Sequence, residues 1–347
     1  MGNWKCKLVI LLLFVLPLSS GAAVKDFGDE TFSLGFGLST YSLSSTLSND
    51  TDADSSTESL IYSPNNQGNL GFTFQYGNVG ASLSWAGKLS SENQEVDVKT
   101  RFQDYQFRFL GPQISYKVFF QRYKGYYISN PEDFPGGGMQ NDPENLLPGL
   151  EKLHYGVGAI YNFSPERYSL DAGFGIHSFQ TESGGAFLVA LDLDHHEFNS
   201  DESMIPSYAS SNFASIDGWK GSVFTSLTVS GGGGYNYCSG NLIIGGLLLV
   251  GAAIQKQKHR FDDLDSTKVV VTNRNMAGIN IGYDDQVHKL FLALMLETST
   301  SPIEEGEVDT QMTTANLTYV YRFQDVDIPV LKKVSRWLDS RGGAKGE

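Results

Sequence analysis

Much of this chain alternates between apolar and polar residues in segments of about ten residues, and turns separate those segments. In one segment the apolar positions are Ile114, Tyr116, Val118 and Phe120. The positions between them and around them are Gln113, Ser115, Lys117 and Gln121. Segments from Val79, Leu153 and Tyr168 repeat the pattern. Because successive side chains of a β-strand point to opposite faces, this period of two predicts an all-β protein.

The two faces differ in a way that is unusual for a soluble sheet. The apolar faces are rich in aromatic residues, of which the chain has 17 Tyr and 22 Phe. The opposite faces carry Gly, Ser and isolated charges. A soluble sheet packs its bulky side chains inward and presents charged groups to water. Lipid outside and polar groups inside reverse this arrangement, so the pattern predicts a transmembrane antiparallel β-barrel.

Thirteen candidate strands follow from the alternation and from the turns between the segments. They lie near residues 31–47, 57–76, 79–90, 97–110, 112–128, 152–163, 167–181, 185–198, 219–236, 241–259, 268–283, 286–299 and 310–323. A bacterial barrel with both ends on one side of the membrane needs an even number of strands. We therefore expect about twelve, with fourteen as the alternative. The error is expected within 167–198, where Ser183–Gly185 can be a kink rather than a turn.

The connections between strands fall into two kinds. Gly77-Asn78, Gly111-Pro112 and Asp284-Asp285 are tight reversal signals. The connections at 49–58, 130–148 and 200–217 are long and polar. This predicts short turns on one rim of the barrel and long loops on the other.

The N-terminus has the pattern of an export signal. Lys5 and Lys7 precede an apolar run, Leu8 to Leu18, which small residues follow up to Ala23. Because the run is shorter than the roughly 20 residues of a membrane helix, we expect residues 1–23 to be a cleaved signal peptide. An uncleaved anchor is the alternative. Together with the barrel pattern, this predicts export through the periplasm to the bacterial outer membrane.

The cysteine count and the net charge limit the kinds of partner that we expect for this protein. The signal would carry away Cys6, so Cys238 would have no cysteine to pair with. The remaining chain has 23 basic and 39 acidic residues, a net charge of −16. Nucleic-acid binding needs basic patches, so no nucleic-acid partner is expected. The expected partners are outer-membrane lipids, the outer-membrane assembly machinery and a small solute, and no cofactor is expected.

The last strand pattern carries an assembly signal in our interpretation. Tyr319, Tyr321 and Phe323 share one face of the segment 315–323, which is similar to the closing strand that the assembly machinery reads. The chain continues for 24 residues beyond Phe323. We assign 24–324 to the barrel and 325–347 to a periplasmic tail. The apolar face of a short amphipathic helix is predicted in that tail at Val330, Leu331, Val334, Trp337 and Leu338. Packing against the barrel rim and contact with the membrane surface are both open for this helix.

Two acidic stretches contain residue types that could bind a metal ion. In the run 192–198, alternation allows only Asp192, Asp194 and His196 to converge, and a strand leaving the membrane explains the charges more simply. Residues 50–54 resemble the opening of a calcium loop, but Ser55 and Ile61 fail its later positions. We expect no metal site. The sequence also lacks a Gly-x-Ser-x-Gly elbow, so we do not expect an enzyme.

The polar faces carry isolated charges that we expect to point into the lumen. They are Lys88, Asp104, Arg108, Lys117, Asp171, Asp192, Lys289 and Arg322. Their mixed signs fit either a salt-bridged, closed interior or a narrow pore. The expected function is therefore a structural or surface protein or a narrow small-solute channel. An outer-membrane enzyme acting on lipid is the alternative, and a lipid-facing Ser–His pair near a rim would favour it.

Two stretches also carry a family resemblance. The segment Leu153 to Leu193 contains a strand, a reversal around YNF and YSL, and a Ser-Gly-Gly step before a second apolar strand. GGGGYNY at Gly231 to Tyr237 precedes another apolar strand. Both resemble the uncharacterised outer-membrane family known as domain of unknown function 4421. The resemblance implies an outer-membrane barrel and implies neither an activity nor any functional residue.

Overall fold

The computed structural model describes residues 24–25, 27, 30–49, 58–65, 68–86, 96–261, 265–303 and 306–342. The predicted signal peptide at 1–23 and the predicted lumen residue Lys88 lie outside the described residues. Within the described part, no helix is long and apolar enough to cross a membrane.

In the part of the chain that the structure describes, the regular structure consists of fifteen strands and two α-helices, with short 3-10 turns in the long connections. The strands are β1 (Val24–Lys25), β2 (Phe32–Asn49), β3 (Ser59–Pro64), β4 (Asn69–Tyr76), β5 (Val79–Ala86), β6 (Arg101–Leu110), β7 (Ile114–Ile128), β8 (Leu146–Asn162), β9 (Phe179–Gln180), β10 (Gly184–Asn199), β11 (Gly221–Ser239), β12 (Leu242–Arg260), β13 (Asp265–Asp284), β14 (His288–Ile303) and β15 (Gly306–Phe323). The helices are α1 (Leu170–Phe174) and α2 (Pro329–Gly342).

The strands form a closed antiparallel barrel of twelve strands. Neighbours along the chain pair with each other, and β15 pairs with β2 from Phe323↔Phe32 onward to close the sheet. The two short strands β3 and β4 both pair with β2 and are halves of one barrel strand, interrupted after Pro64. Proline cannot donate to the ladder, which fits an interruption at that point. The predicted barrel and its number of strands are confirmed.

The two rims of the barrel differ as the connections predicted. Both ends of the barrel sequence lie at one rim, which we call the terminal rim, together with the turns at Gly77-Asn78 and Gly240-Asn241. The opposite rim, the loop rim, carries the long connections 129–145 and 200–220. One long connection, residues 163–183, lies at the terminal rim instead of a tight turn.

The outer surface is apolar, in agreement with the predicted faces. Tyr116 is 43% exposed and Val157 is 47% exposed, although both are large hydrophobic residues. Their strand neighbours Lys117 and Gly158 belong to the inner face and line the lumen. An apolar exterior and a polar interior are the signature of a barrel that spans lipid.

The predicted strand at 167–181 is wrong. The connection 163–183, which we call the plug, folds into the lumen as α1 and the short strand β9, and β9 pairs with β1 rather than with the barrel. Ser169 accepts a hydrogen bond from the Ala172 amide, and Asp171 accepts bonds from the amides of residues 176–178. These side chains satisfy the backbone of their own segment, which competes with sheet formation.

The loop rim is closed by a second feature, the cap, which consists of residues 129–145 and 200–220. Its large apolar side chains are buried with inward-facing residues of the barrel. They include Phe134, Met204, Ile205, Phe213, Ile216 and Trp219. Tyr208 donates a hydrogen bond of 2.6 Å from its hydroxyl to the Asn145 side chain, and burial, assisted by the charge of Glu144, raises the pKa of Tyr208 to about 12.

The C-terminal helix α2 is present as predicted and lies at the terminal rim. The Tyr76 hydroxyl holds its start, because that hydroxyl donates to the Val326 carbonyl and accepts from the Ile328 amide. Lys332 also pairs with Glu30. Val330 of the predicted apolar face is 73% exposed, and the side chains of Trp337 and Leu338 lie outside the described residues.

Candidate functional site: the barrel lumen

The plug is held in place by cations on the inner face of the barrel. Lys289 Nζ donates to the carbonyl oxygens of Ala172 at 2.7 Å and Gly175 at 2.8 Å. Arg322 Nε donates to the Ile176 carbonyl at 2.9 Å. Cations at the carbonyl end of a helical turn are favourable, because those carbonyls lack partners within the helix.

Arg322 has a second role at the same level of the barrel. Its two terminal nitrogens donate to the two carboxylate oxygens of Asp284, at 2.7 and 2.8 Å. Both side chains are nearly inaccessible to solvent. In this buried bidentate pair, with Nε donating to a carbonyl, neither charge is left uncompensated.

A second ionic cluster lies farther along the lumen, between the plug and the cap. Arg274 pairs with Asp194 at 2.5 Å and with Glu297 at 3.0 Å. His154 Nε2 lies 3.5 Å from the other oxygen of Asp194. The His196 ring lies beside His154, with 5.2 Å between the ring centroids. This cluster ties β8, β10, β13 and β14 together across the lumen.

A row of charges crosses the neighbouring strands. Arg108, Lys117, Gly158 and Asp192 are successive register partners on β6, β7, β8 and β10. Lys117 Nζ reaches Asp192 at 3.5 Å across Gly158. A Cβ atom at Gly158 would lie 2.3 Å from the Asp192 carboxylate and 2.9 Å from Lys117 Cε, so a side chain there would push these two groups from their present positions.

Charge balance in the row is incomplete. Arg108 donates to the Gln106 side-chain oxygen, with an Nε distance of 3.2 Å, and forms no ion pair with another described residue. Asp104, on the same strand, is buried and accepts a bond of 2.9 Å from the Gln106 amide. Two cations, Arg108 and Lys117, therefore stand directly opposite each other on paired strands. Like charges in that position repel.

The sequence-predicted lumen charges thus divide into two groups. The structure places Asp104, Arg108, Lys117, Asp192, Lys289 and Arg322 on the inner face of the barrel. Asp171 lies in the lumen too, but on the plug helix α1, so its placement on a barrel strand was wrong. Its carboxylate is occupied by amides of the plug itself.

Several charged lumen residues were missed from the sequence. They are Lys152, Asp284, Arg274 and Glu297, together with Asp194, His154 and His196, which were not counted among the lumen charges. The alternation carries the signal for them. On β13, Ile279, Ile281 and Tyr283 are outward, so even-numbered positions such as Arg274 point inward.

The run 192–198 has a structural explanation. Asp192, Asp194 and His196 do face inward, but Lys117 and Arg274 occupy the two carboxylates. Among the described residues, no group of three His, Cys, Asp or Glu side chains is arranged to hold a metal ion. The calcium-like stretch 50–54 lies outside the described residues.

The hydrogen-bonded Ser–His pairs of the described chain lie inside the protein. Ser222 Oγ lies 2.7 Å from His259 Nδ1, and Ser33 Oγ lies 3.4 Å from His177 Nδ1. All four side chains are buried. The outward-facing His195 instead lies 3.1 Å from Thr225 Oγ1.

A cavity of about 280 Å³ remains between the plug and the ionic cluster. The wall formed by β2, β4, β5 and β15 carries small polar residues such as Ser39, Thr73 and Thr318. The facing surface is apolar and includes Leu170, Phe174 and Ile176 of the plug, with Met276 and Phe291 of the barrel. Arg108 and Lys117 also line it.

Two smaller voids adjoin this cavity. A crevice at the terminal rim shares Leu110, Ser115 and Leu170 with it. A void of about 50 Å³ near the cap shares His154 and Arg274 with it. These three voids therefore follow one another from the terminal rim toward the cap.

The proposed assembly-signal residues lie on the outer face. Tyr319, Tyr321 and Phe323 are 45%, 37% and 41% exposed, and Tyr321 packs edge-on against Phe323. His288 Nδ1 lies 2.7 Å from the Tyr319 hydroxyl. Their role as a signal stays a prediction.

Comparison with known proteins yields one family. The model of the domain of unknown function (DUF4421) matches residues 26–323 of this chain. No curated protein matches.

Solved structures with a similar arrangement are outer-membrane barrels of diverse roles. The outer membrane protease OmpT from Escherichia coli has a TM-score of 0.40 and 8% identity, over 86% of this chain and 99% of that chain. An outer membrane channel from Pseudomonas putida F1 has a TM-score of 0.34 and 11% identity, over 89% of this chain and 97% of that chain. The KdgM porin has a TM-score of 0.27 and 8% identity, over 82% and 99%. Similarity this low carries no argument about activity.

Proposed function

This chain belongs to the family described as domain of unknown function (DUF4421), and from that premise we propose that it is a bacterial outer-membrane barrel that does not conduct at rest. Its role is structural or at the cell surface. The observation that carries the proposal is that the plug and the cap occupy the lumen at opposite rims. Outer-membrane lipid and the assembly machinery are its proposed partners, with Tyr319, Tyr321 and Phe323 as the assembly signal.

Both obstructions are well anchored, which supports a lumen that stays closed. The plug is bound through backbone carbonyls to Lys289 and Arg322 on adjacent strands. The cap buries Trp219, Phe213 and Met204 almost completely. Opening the lumen would expose this apolar surface, at a cost of about 25 cal/mol for each Å². Removal of the plug would also take from the buried Lys289 the two carbonyls to which it donates.

A narrow solute channel is the second candidate, because the three voids lie in series along the lumen. On that hypothesis the cap would have to move for a solute to pass. The lipid-acting enzyme is less favoured, because the Ser–His pairs of the described residues are buried rather than facing lipid.

The test is single-channel recording in planar bilayers. Wild-type protein should give no steady conductance steps. A variant in which short turns replace 164–181 of the plug and both 130–144 and 201–218 of the cap should give steps, and it also controls for insertion. Heat-dependent gel mobility should establish that both proteins are folded. Steady steps from the wild type would refute the resting-closed proposal and favour the channel.

A further inference from the structure

The main cavity is lined by a pair of cations on one side and by an apolar surface on another. Arg108 and Lys117 are direct register partners, and Asp192 is the one carboxylate within ion-pair distance of either among the described residues. Arg108 therefore keeps a positive charge with no carboxylate beside it among the described residues, although Glu297 also lines the cavity and lies within electrostatic reach of Lys117. In a partly desolvated lumen such a charge attracts an anion more strongly than it would in water.

The surface facing the polar wall is apolar. The plug presents Leu170, Phe174 and Ile176 to the cavity, and β13 and β14 add Met276 and Met295. Water in contact with this surface gains few hydrogen bonds, so an apolar group would displace it favourably. An anion that carries an apolar portion satisfies both sides of the cavity, whereas a small inorganic anion satisfies one side only.

The volume limits the size of the occupant. A cavity of roughly 150 Å³ holds benzene, which has six non-hydrogen atoms. By proportion, a cavity of about 280 Å³ accommodates roughly eleven such atoms. A small crevice beside the plug shares Leu110, Ser115 and Leu170 with the cavity, so the cavity extends toward the terminal rim on the side away from the cap.

From this geometry we infer that the lumen is a binding site for a small amphipathic carboxylate. The carboxylate lies against Arg108 and Lys117, and the apolar portion packs against the plug. Arginine matches a carboxylate with two parallel hydrogen bonds, and lysine adds a point charge. The site lies between the plug and the ionic cluster rather than in the cap, so binding can be tested separately from conduction.

Octanoate is a suitable probe, because its ten non-hydrogen atoms match the volume. Binding should be measured by calorimetry on the full-length protein in lipid nanodiscs, with empty nanodiscs subtracted. Octanamide has the same size without the charge, and acetate has the charge without the chain. Octanoate should bind at least ten-fold more tightly than either.

Variants separate the lumen site from general attraction to the protein. Arg108→Gln should weaken octanoate binding at least ten-fold and leave octanamide unchanged. Arg122→Gln removes the same charge from the outer face, where Arg122 pairs with Glu151, and should have no effect on octanoate. Lys117→Gln provides a second lumen variant should Arg108→Gln fail to fold.

Three results would overturn the inference. Equal binding of octanoate and octanamide would mean partitioning into an apolar space, and acetate as tight as octanoate would mean a simple anion site. Octanoate binding that survives both lumen variants would place the ligand elsewhere. If the protein binds octanoate as predicted and also conducts, the closed-barrel proposal is refuted and the binding site stands.

Discussion

Arginine at Val157 is the sharpest test of the inside and outside of this barrel. Val157 lies on the outward face of β8, six residues from Glu151 toward the loop rim and six from Phe163 toward the terminal rim. Glu151 pairs with Arg122 on the outer surface, which marks a polar edge. Phe163 is 56% exposed at the opposite end.

The geometry places Val157 near the middle of the membrane. Six residues of strand span about 20 Å, and a tilt of about 40° reduces this to roughly 15 Å along the membrane normal. The apolar band of such a barrel is about 25 Å tall, so both Glu151 and Phe163 fall just beyond its edges. Arginine at the midplane costs about 2–4 kcal/mol, falling to about 0–1 kcal/mol near the interface.

We therefore expect Val157→Arg to lower the free energy of unfolding by about 2–4 kcal/mol. Phe163→Arg, on the same outer surface just beyond the terminal edge of the apolar band, should cost about 0–1 kcal/mol. Ser115→Arg points into the lumen and should also be mild. Gly156 is a poor control, because a Cβ there would meet the Leu193 carbonyl at 2.6 Å.

The assay is reversible unfolding by urea in lipid vesicles, followed by the heat-dependent gel shift. The expected order of stability is wild type, then Phe163→Arg and Ser115→Arg, then Val157→Arg. If Val157→Arg and Ser115→Arg are equally destabilising, the assignment of lipid face and lumen is wrong.

Three further predictions concern the ends of the sheet. Truncation after Phe323 should still give a heat-modifiable barrel, whereas truncation before Leu317 should abolish insertion, because an open sheet edge cannot be satisfied in lipid; failure of both in membrane fractionation would make the terminal helix part of the fold. Asp284→Ala should lower the unfolding free energy by about 3–5 kcal/mol in urea titrations, because Arg322 is left buried and uncompensated; a loss below 1 kcal/mol would contradict that reasoning. Hydrogen bonds from the amide of residue 288, and then of residue 287, lower the pKa of Asp285 in the folded protein. The ionised Asp285 therefore stabilises the fold above its unfolded pKa, and this stabilisation is lost as pH falls through the lower folded pKa. The stability difference between wild type and Asp285→Asn should shrink below about pH 4, and a difference that is constant with pH would refute it.

The alternation of apolar and polar residues was sufficient to predict most of the barrel strands and their outward faces. Alternation depends only on the geometry of a strand between lipid and a polar interior, so the outward faces around Tyr116 and Val157 follow from the sequence. The even number of strands follows from both ends lying at one rim. The same alternation also contains the inward positions of Arg274 and Glu297, although it does not identify their partners.

The sequence pattern gave a wrong prediction for the plug, because tertiary contacts determine the position of that segment. Residues 167–181 alternate as a strand does, but β8 and β10 pair directly with each other, from Asn162↔Leu188 onward, and leave this segment no place in the sheet. The segment turns inward because Asp171 binds its amides and Lys289 and Arg322 bind its carbonyls. Those cations lie more than a hundred residues away in sequence. Closure of the barrel brings them beside the plug. The alternation of apolar and polar residues within a segment does not show which distant side chains will meet in the lumen.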